Sequence, residues 1–169
     1  LTIEAARRAH AAGRRTLVLC FNRALAEWLR EQTAGLAEAT TISDHMVHAA
    51  GSPAGSPQFA ADGFWDDLPR LACEGLIERP PGYDELIVDE AHHARTPGTR
   101  RYARLAECCI GARVLLLTAT PVVNRRADRD ALLALFLGAR LADPAAVARC
   151  MLRREAAAGV RPRIVRLAP

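Results

Sequence analysis

The amino-acid sequence predicts one α/β domain built on a mostly parallel central sheet. Three largely apolar runs of strand length carry this prediction, at Thr16 to Cys20, Asp84 to Asp89 and Val114 to Thr118. Stretches with helical spacing of apolar residues separate the runs, and apolar strands without alternation are buried on both faces of a parallel sheet. We therefore expect nearly full burial of all three strands, with helices on both faces. The 169 residues, half of them apolar, suffice for one such core.

The predicted elements alternate regularly along the first half of the chain. Gly13 ends the first helix, and Asn22 is placed to cap the second. In order, we expect a helix at Leu1 to Ala12, the strand at Thr16 to Cys20, a helix at Arg23 to Gln32 and a short strand at Thr40 to Ile42. A loop rich in Gly, Ser and Pro follows at Gly51 to Gln58, and we interpret it as an insertion in the domain.

The second half continues the same alternation. Pro80, Pro81 and Gly82 end one helix, and Gly138 closes another. In order, we expect a helix at Phe64 to Glu78, the strand at Asp84 to Asp89, a helix at Arg100 to Cys109, the strand at Val114 to Thr118, and helices at Asp128 to Leu137 and Ala145 to Ala158. The pattern also allows a last strand at Arg163 to Leu167.

Composition restricts the function less than the motifs do. The net charge is +4, and all 23 basic residues are Arg because the chain contains no Lys. A modest positive excess suits a polyanionic partner but is common in proteins that bind no nucleic acid, and the exclusive use of Arg indicates a gene of high GC content. No apolar run reaches 18 residues and no signal segment opens the chain, so we expect a soluble, cytoplasmic protein with no membrane partner. The five cysteines lack metal-ligand spacing and are expected to be reduced thiols.

The most specific feature is the end of the strand Leu86-Ile87-Val88, where Asp89 and Glu90 follow directly. Parallel strands deliver their last residues to the carboxyl edge of the sheet, where open α/β folds bind ligands. Adjacent carboxylates there suit Mg²⁺ held together with nucleotide phosphates, with Asp89 in the metal shell and Glu90 polarising the attacking water. The alternative is an acidic pair that caps a helix and binds no ligand.

A second polar cluster follows the strand that begins at Val114, at Thr118 and Thr120. Both hydroxyls could form hydrogen bonds with the histidine or the carboxylates that follow the neighbouring strand. The alternative is an ordinary exit from a strand, closed by Pro121. The two segments together are more specific than either alone, because both deliver polar groups to one edge of the sheet.

Asp89-Glu90-Ala91-His92 resembles the Walker B motif of the DEAH-type helicases, and Leu117 to Pro121 is similar to their motif III. The stretch from Thr118 to Phe136 resembles the segment after motif III in the Swi/Snf-like translocases of superfamily 2. Met151 to Arg154 is similar to the stretch that leads toward their second motor domain.

The resemblance implies a nucleic-acid-dependent ATPase of the helicase or translocase kind. It implies a RecA-like three-layer motor domain over residues 1–140, and over 141–169 a helix that leads to a second RecA-like domain, which would be a partner. ATP and Mg²⁺ would be the cofactors, with nucleic acid as the other partner and DNA favoured over RNA. Asp89, Glu90 and His92 would be catalytic, with Asp89 on the metal, and Thr118 and Thr120 would couple hydrolysis to movement.

The front of the chain resembles a different group of motors. Leu19 to Leu29 resembles motif Ia of the superfamily 1 helicases, and Thr41-Ile42-Ser43 with His45 resembles the strand that these helicases use next against the nucleic-acid backbone. The resemblance places five residues beside that backbone: Phe21, Asn22, Arg23, Thr41 and Ser43. His92 and the Thr-Ala-Thr segment favour superfamily 2 for the chain as a whole.

One essential part of such motors is missing from the sequence. They hold the phosphates with a Gly-rich loop that ends in Lys and Ser or Thr ahead of the first helix, and this chain has no Lys. Because Leu1 opens directly in a helical pattern without a capping residue, we expect a fragment that starts just after the loop and is inactive by itself. The alternative is a catalytically inactive RecA-like module that binds nucleic acid or regulates a partner. The codons upstream of Leu1 distinguish the two.

Overall fold

The computed structural model describes residues 1–51, 63–78, 82–119 and 126–151. Its helices are α1 (Thr2–Ala11), α2 (Arg23–Gln32), α3 (Ile42–Ala49), α4 (Phe64–Glu78), α5 (Arg100–Cys108), α6 (Arg126–Leu137) and α7 (Pro144–Cys150). Its strands are β1 (Thr16–Cys20), β2 (Glu38–Thr41), β3 (Glu85–Val88) and β4 (Arg113–Leu116). Two short 3-10 helices lie at Ala91–Ala94 and Gly138–Ala142. The fold is α/β, as the sequence predicts.

The four strands form one parallel sheet in the order β2-β1-β3-β4. Val18 of β1 pairs with Ile87 of β3, which pairs with Leu115 of β4. Since all strands run the same way, their carboxyl ends meet at one edge of the sheet. The segments that begin at Phe21, Asp89 and Leu117 therefore all leave from that edge.

Alternate residues of the central strands bury themselves on opposite faces of the sheet, as the two-residue repeat of a strand requires. On one face, Leu17, Leu86 and Val88 belong to a core that includes Met46, Leu68, Leu105 and Leu132 from α3 to α6. On the other face, Val18 and Ile87 pack with Ala6 of α1 and Leu29 of α2. Helices therefore cover both faces, and the domain has the three layers expected of a RecA-like α/β domain.

Strand β4 differs from its prediction in length and in burial. It ends at Leu116 instead of Thr118, and Val114, Leu115 and Leu116 are half-buried instead of fully buried. The reason is its position, because β4 pairs only with β3 among the described residues and forms an edge of the sheet. β1 and β3 lie inside the sheet, and their apolar residues are almost completely buried as predicted.

The predicted strand at Thr40 to Ile42 is wrong at its end, and a helix was missed. β2 stops at Thr41, and Ile42 and Ser43 already belong to α3. The Thr41 hydroxyl accepts a hydrogen bond from Asp44 N at 3.1 Å and donates one to Asp44 Oδ2 at 2.8 Å. The first of these bonds satisfies one free backbone N–H at the start of α3, which is the usual reason for a Thr at this position.

Other predicted boundaries agree more closely with the structure. Helix α4 occupies Phe64–Glu78, and α2 occupies Arg23–Gln32 with Asn22 as its cap, as predicted. The helix predicted at Ala145 to Ala158 is wrong at both ends, because α7 starts at Pro144, with Asp143 as its cap, and stops at Cys150, where Met151 adopts an extended conformation. The predicted continuation of this helix beyond 151, the possible strand at 163–167 and most of the loop at 51–58 lie outside the described residues.

Candidate functional site

Asp89 extends β3 by one residue and places a carboxylate at the carboxyl edge of the sheet. Its backbone N–H donates to the Leu19 carbonyl at 2.9 Å, which holds the residue in line with the sheet. Its Oδ1 accepts a hydrogen bond from Glu90 N at 3.0 Å, and the side chain is half-buried. One carboxylate with an oxygen left for a water shell fits Mg²⁺, which is commonly held by one or two carboxylates, waters and substrate phosphates.

Glu90 has an unusual backbone conformation, with φ of 51° and ψ of 43°. It is the one non-glycine residue with positive φ among those the structure describes. A left-handed conformation costs an L-residue about 1–2 kcal/mol and is enriched at functional sites. The conformation turns the chain from β3 into the 3-10 helix Ala91–Ala94, and the Ala91 N–H then donates to the Leu117 carbonyl at 3.0 Å.

The helix-capping alternative for the acidic pair has no support at Glu90. Glu90 stands at the cap position of the 3-10 helix, but its side chain forms no capping hydrogen bond. Its Oε2 is instead buried 3.0 Å from His92 Nδ1, in a geometry that does not qualify as a hydrogen bond. The Glu90 carboxylate therefore lies against the His92 ring and does not cap the 3-10 helix.

His92 joins the ends of β3 and β4. Its Nδ1 lies 3.1 Å from Thr118 Oγ1, and the contact between these two residues is the one expected from the sequence. The strands that carry Asp89 and Thr118 are direct neighbours, also as expected. Thr120, the second predicted coupling residue, lies outside the described residues.

The shared nitrogen gives His92 two alternative arrangements. A protonated Nδ1 faces the Glu90 carboxylate favourably, whereas an unprotonated Nδ1 accepts a hydrogen bond from the Thr118 hydroxyl. Nδ1 of His92 therefore lies within reach of side chains that follow both β3 and β4.

Arg95 supports this histidine and was not singled out from the sequence. Its Nη1 donates to the His92 carbonyl at 2.9 Å, and its Nε lies 3.7 Å from Asp128 Oδ2 at the start of α6. Both side chains of the ion pair are largely buried. Asp128 lies 33 residues downstream of Arg95, so no local pattern in the sequence indicates the pair.

A groove of about 560 Å³ lies beside this cluster, at the carboxyl ends of β1 and β2. The five residues predicted to contact nucleic acid all line it: Phe21, Asn22, Arg23, Thr41 and Ser43. Two of them also have structural roles, since Asn22 caps α2 and Thr41 caps α3. Arg23 is 82% exposed and lies 3.4 Å from Asp44, so it is free to move toward a ligand.

Four further groove residues were missed from the sequence: Trp65, His93, Arg101 and Arg104. They come from α4, the 3-10 helix and α5, which are brought to the groove by packing. The i, i+3 spacing of Arg101 and Arg104 on α5 was the one available signal. The same spacing is also typical of a solvent-exposed helix face, so it does not indicate a binding site unless the elements packed against α5 are known.

Ring contacts connect the groove to the carboxylates. The rings of Phe21 and His93 have centroids 5.4 Å apart, and those of His92 and His93 are 4.3 Å apart. Local desolvation and the adjacent His92 lower the pKa of His93. The adjacent rings of His93 and His92 therefore connect Phe21, in the groove wall, to Glu90.

A larger cavity, of about 1130 Å³, lies around Arg15, His45 and Tyr83 at the opposite edge of the sheet. The Tyr83 hydroxyl donates to the Glu38 carboxylate, and burial followed by this bond raises the pKa of Tyr83 to about 12. Burial also lowers the pKa of His45. The cavity contains none of the predicted site residues, and we assign the function to the carboxyl edge because the paired acids lie there.

The described residues contain no cluster of three or more His, Cys, Asp or Glu side chains arranged to hold a metal ion. Burial raises the pKa of Cys20, Cys108 and Cys109, so these thiols are poor nucleophiles. No helix in the described parts of the chain is long and apolar enough to cross a membrane. Comparison of the chain with models of protein families, with curated proteins and with solved structures gives no match.

Proposed function

We propose that this chain belongs to the first motor domain of a nucleic-acid-dependent ATPase of the helicase or translocase kind. The observation that carries the proposal is the contact of Glu90 Oε2 with His92 Nδ1, which also reaches Thr118 on the neighbouring strand. A strained acid beside a groove with an excess of arginine suits hydrolysis controlled by a polyanion. The proposed activity consumes ATP, and a cytoplasmic location and a preference for DNA over RNA belong to the same proposal.

Each residue of the cluster has a distinct role in this mechanism. Asp89 would hold Mg²⁺, which supplies charge neutralisation to the phosphates of ATP. Glu90 would orient the attacking water through its carboxylate, close to the end of β3. His92 would hold Glu90 through Nδ1 when that nitrogen is protonated, and release it when Nδ1 accepts from Thr118.

Coupling to nucleic acid would use the path already described between the groove and the acids. A ligand that shifts Phe21 presses on His93, which lies against the His92 ring. Because His92 contacts Glu90, such a shift changes the position of the water-orienting carboxylate. The path explains how a polyanion in the groove could stimulate hydrolysis without touching ATP.

The mechanism requires parts that this chain does not supply. No Lys is present to cradle the phosphates, and phosphoryl transfer in such motors also uses an arginine from a second domain. A Gly-rich loop with Lys and a second RecA-like domain would therefore have to come from another segment or partner. The missing Lys favours the second candidate, an inactive RecA-like module that binds nucleic acid or regulates a partner.

The ATPase rate with and without nucleic acid tests the proposal. We expect the 169-residue chain alone to hydrolyse ATP no faster than buffer, because it lacks the phosphate cradle. In the full-length protein that contains the chain, an oligonucleotide should stimulate hydrolysis at least tenfold. Full-length protein that binds oligonucleotides but shows no hydrolysis would contradict the motor and establish the inactive module.

A further inference from the structure

Arg104 occupies the wall of the groove and is held by three contacts. Its Nη1 donates to Ser43 Oγ at 3.1 Å, and its Nη2 donates to the Trp65 carbonyl at 3.3 Å. Its guanidinium carbon lies 5.6 Å from the centre of the Trp65 ring, a cation–π distance. The side chain is half-buried and belongs to the lining of the groove.

Pro69 explains why the Trp65 carbonyl is available to Arg104. Within α4, that carbonyl would normally accept a hydrogen bond from the backbone nitrogen four residues later, and that residue is Pro69, which has no N–H. The carbonyl therefore accepts from Arg104 Nη2 instead. The hydrogen bond that Pro69 cannot form within α4 thus leaves a carbonyl that orients the Arg104 guanidinium on α5.

Arg104 forms no direct ion pair in the described parts of the chain, although the Asp66 carboxylate attracts it from a greater distance. None of the ion pairs found within 4.0 Å there includes Arg104, and the nearby Asp66 pairs with Arg100 at 2.5 Å. The Arg104 Nε is buried without an acceptor. Burial and the neighbouring Arg100 lower the pKa of Arg104, although a guanidinium stays charged at neutral pH. A half-buried guanidinium that forms no direct ion pair can gain a charge-assisted contact from an anion that binds beside it.

The other charged groups around the groove are also mostly positive. Arg23, Arg101 and Arg104 line it together with Asp44 as the one acid. His93 also lines the groove, and local desolvation and the adjacent His92 lower its pKa. The groove therefore carries an excess of two positive charges, with a hydroxyl from Ser43 at its wall.

We propose that Arg104 is the anchoring contact for a backbone phosphate of a single-stranded nucleic acid lying in this groove. The guanidinium suits a phosphodiester because its planar donors match phosphate oxygens. Phe21 and Trp65 line the groove beside the arginines, and aromatic rings next to a basic groove are typical of sites for unpaired strands, whose bases can stack. The inference rests on the proposed nucleic-acid-dependent function, but it requires neither ATP nor the carboxylates.

Fluorescence anisotropy of a labelled single-stranded oligonucleotide, measured on the 169-residue chain without nucleotide, tests the inference. Arg104→Gln should raise Kd at least tenfold, and Arg104→Lys should raise it about threefold, because Lys keeps the charge but loses the planar donors. The matched control is Arg7→Gln, which removes the same charge from exposed α1 and should change Kd less than twofold. The slope of log Kd against log salt should fall by about 0.7 in Arg104→Gln, the value for one lost phosphate contact on a single strand.

Stability and competition complete the test. Arg104→Gln also removes the hydrogen bonds to Ser43 and to the Trp65 carbonyl and should lower the thermal midpoint slightly, so the affinities are compared at a temperature at which all the variants are folded. Equal losses of affinity in Arg104→Gln and Arg7→Gln, or the absence of oligonucleotide binding, would overturn the inference. Stronger competition by duplex than by single strand would also overturn it. The binding measurement contains no ATP, so a failure of the ATPase proposal does not change how this result is interpreted.

Discussion

Glu90 carries a backbone conformation that its side chain makes unfavourable. At φ of 51° a residue with a Cβ is strained, and nothing in the 3-10 helix that follows requires a glutamate side chain for capping. A glycine at this position would be the ordinary choice for the turn alone. The presence of a strained acid is therefore better explained by what its carboxylate contacts, which is His92.

The strain at Glu90 predicts that the residue best for stability at this position is glycine, which lacks the carboxylate that the proposed function requires. Glu90→Gly should be more stable than Glu90→Ala by about 1 kcal/mol, because both lose the carboxylate but only glycine accepts the left-handed conformation without strain. Urea unfolding of the two variants measures the difference directly. Equal free energies of unfolding would show that the strain is absent and that Glu90 is an ordinary turn residue.

At the scale of elements, α3 and α4 approach each other unusually closely at Gly75. A Cβ added there would lie 1.9 Å from the Ala49 carbonyl oxygen, a distance that requires the helices to move apart. The same approach positions the start of α4, which supplies Trp65 to the groove, against α3, which supplies Ser43. The geometry of the groove therefore depends on a residue that lies outside it.

Gly75→Ala should destabilise the fold by about 1–3 kcal/mol, the usual cost of forcing extra volume into a packed contact, despite the higher helix propensity of Ala. Glu74→Ala is the neighbouring control, since Glu74 is exposed and its pairing with exposed Arg70 is worth little. Thermal and urea unfolding should separate the two variants clearly. A stabilised Gly75→Ala would contradict the close approach of the two helices.

Elements with local signals could be predicted well from the sequence, and those without could not. The capping residue Asn22 predicts the start of α2, and the apolar spacing from Phe64 predicts α4, and both helices have their predicted bounds. The Thr41 and Asp44 pair was also a local signal for α3, but the β-branched residues of β2 masked it. The burial of β4 was not predictable, because an apolar run looks the same in a central and in an edge strand.

The candidate site was predictable where it follows strand ends and hidden where it depends on packing. Asp89, Glu90, His92 and Thr118 follow neighbouring strands, and the order of strands brought them together. Arg104 meets Ser43 across 61 residues of sequence and Trp65 across 39, so only the packing of α3, α4 and α5 reveals the contact. The i, i+3 spacing of Arg101 and Arg104 on α5 does not by itself show that Ser43 and Trp65 lie beside them.

At the scale of the whole molecule, the sheet formed by the described residues has two well-covered central strands and an edge strand at β4. Alternate backbone N–H groups of β4 donate to β3: Arg113 N–H donates to the Asp84 carbonyl at 3.2 Å, and Leu117 N–H donates to the Val88 carbonyl at 2.9 Å. By the two-residue repeat, Leu115 N–H also points to β3, whereas those of Val114 and Leu116 point away from it.

Hydrogen exchange should therefore alternate along β4. We expect the amides of Leu115 and Leu117 to exchange at least a hundredfold more slowly than those of Val114 and Leu116, and those of Val18 and Ile87 to be the slowest of all. Two-dimensional NMR of the chain after transfer to deuterated buffer measures these rates. Uniform protection along β4 would show that its outer edge is covered, contrary to the sheet order described here.

The central claim is that Asp89 and Glu90 form an ATP-hydrolysis site, and the paired variants Asp89→Asn and Glu90→Gln test it most directly. In the full-length protein, Glu90→Gln should lower nucleic-acid-stimulated turnover by roughly two to four orders of magnitude while nucleotide affinity changes little, because it loses only the water-orienting charge. Asp89→Asn should weaken nucleotide binding as well as turnover, because it removes charge from the metal site. Full stimulated activity in Glu90→Gln would contradict the claim.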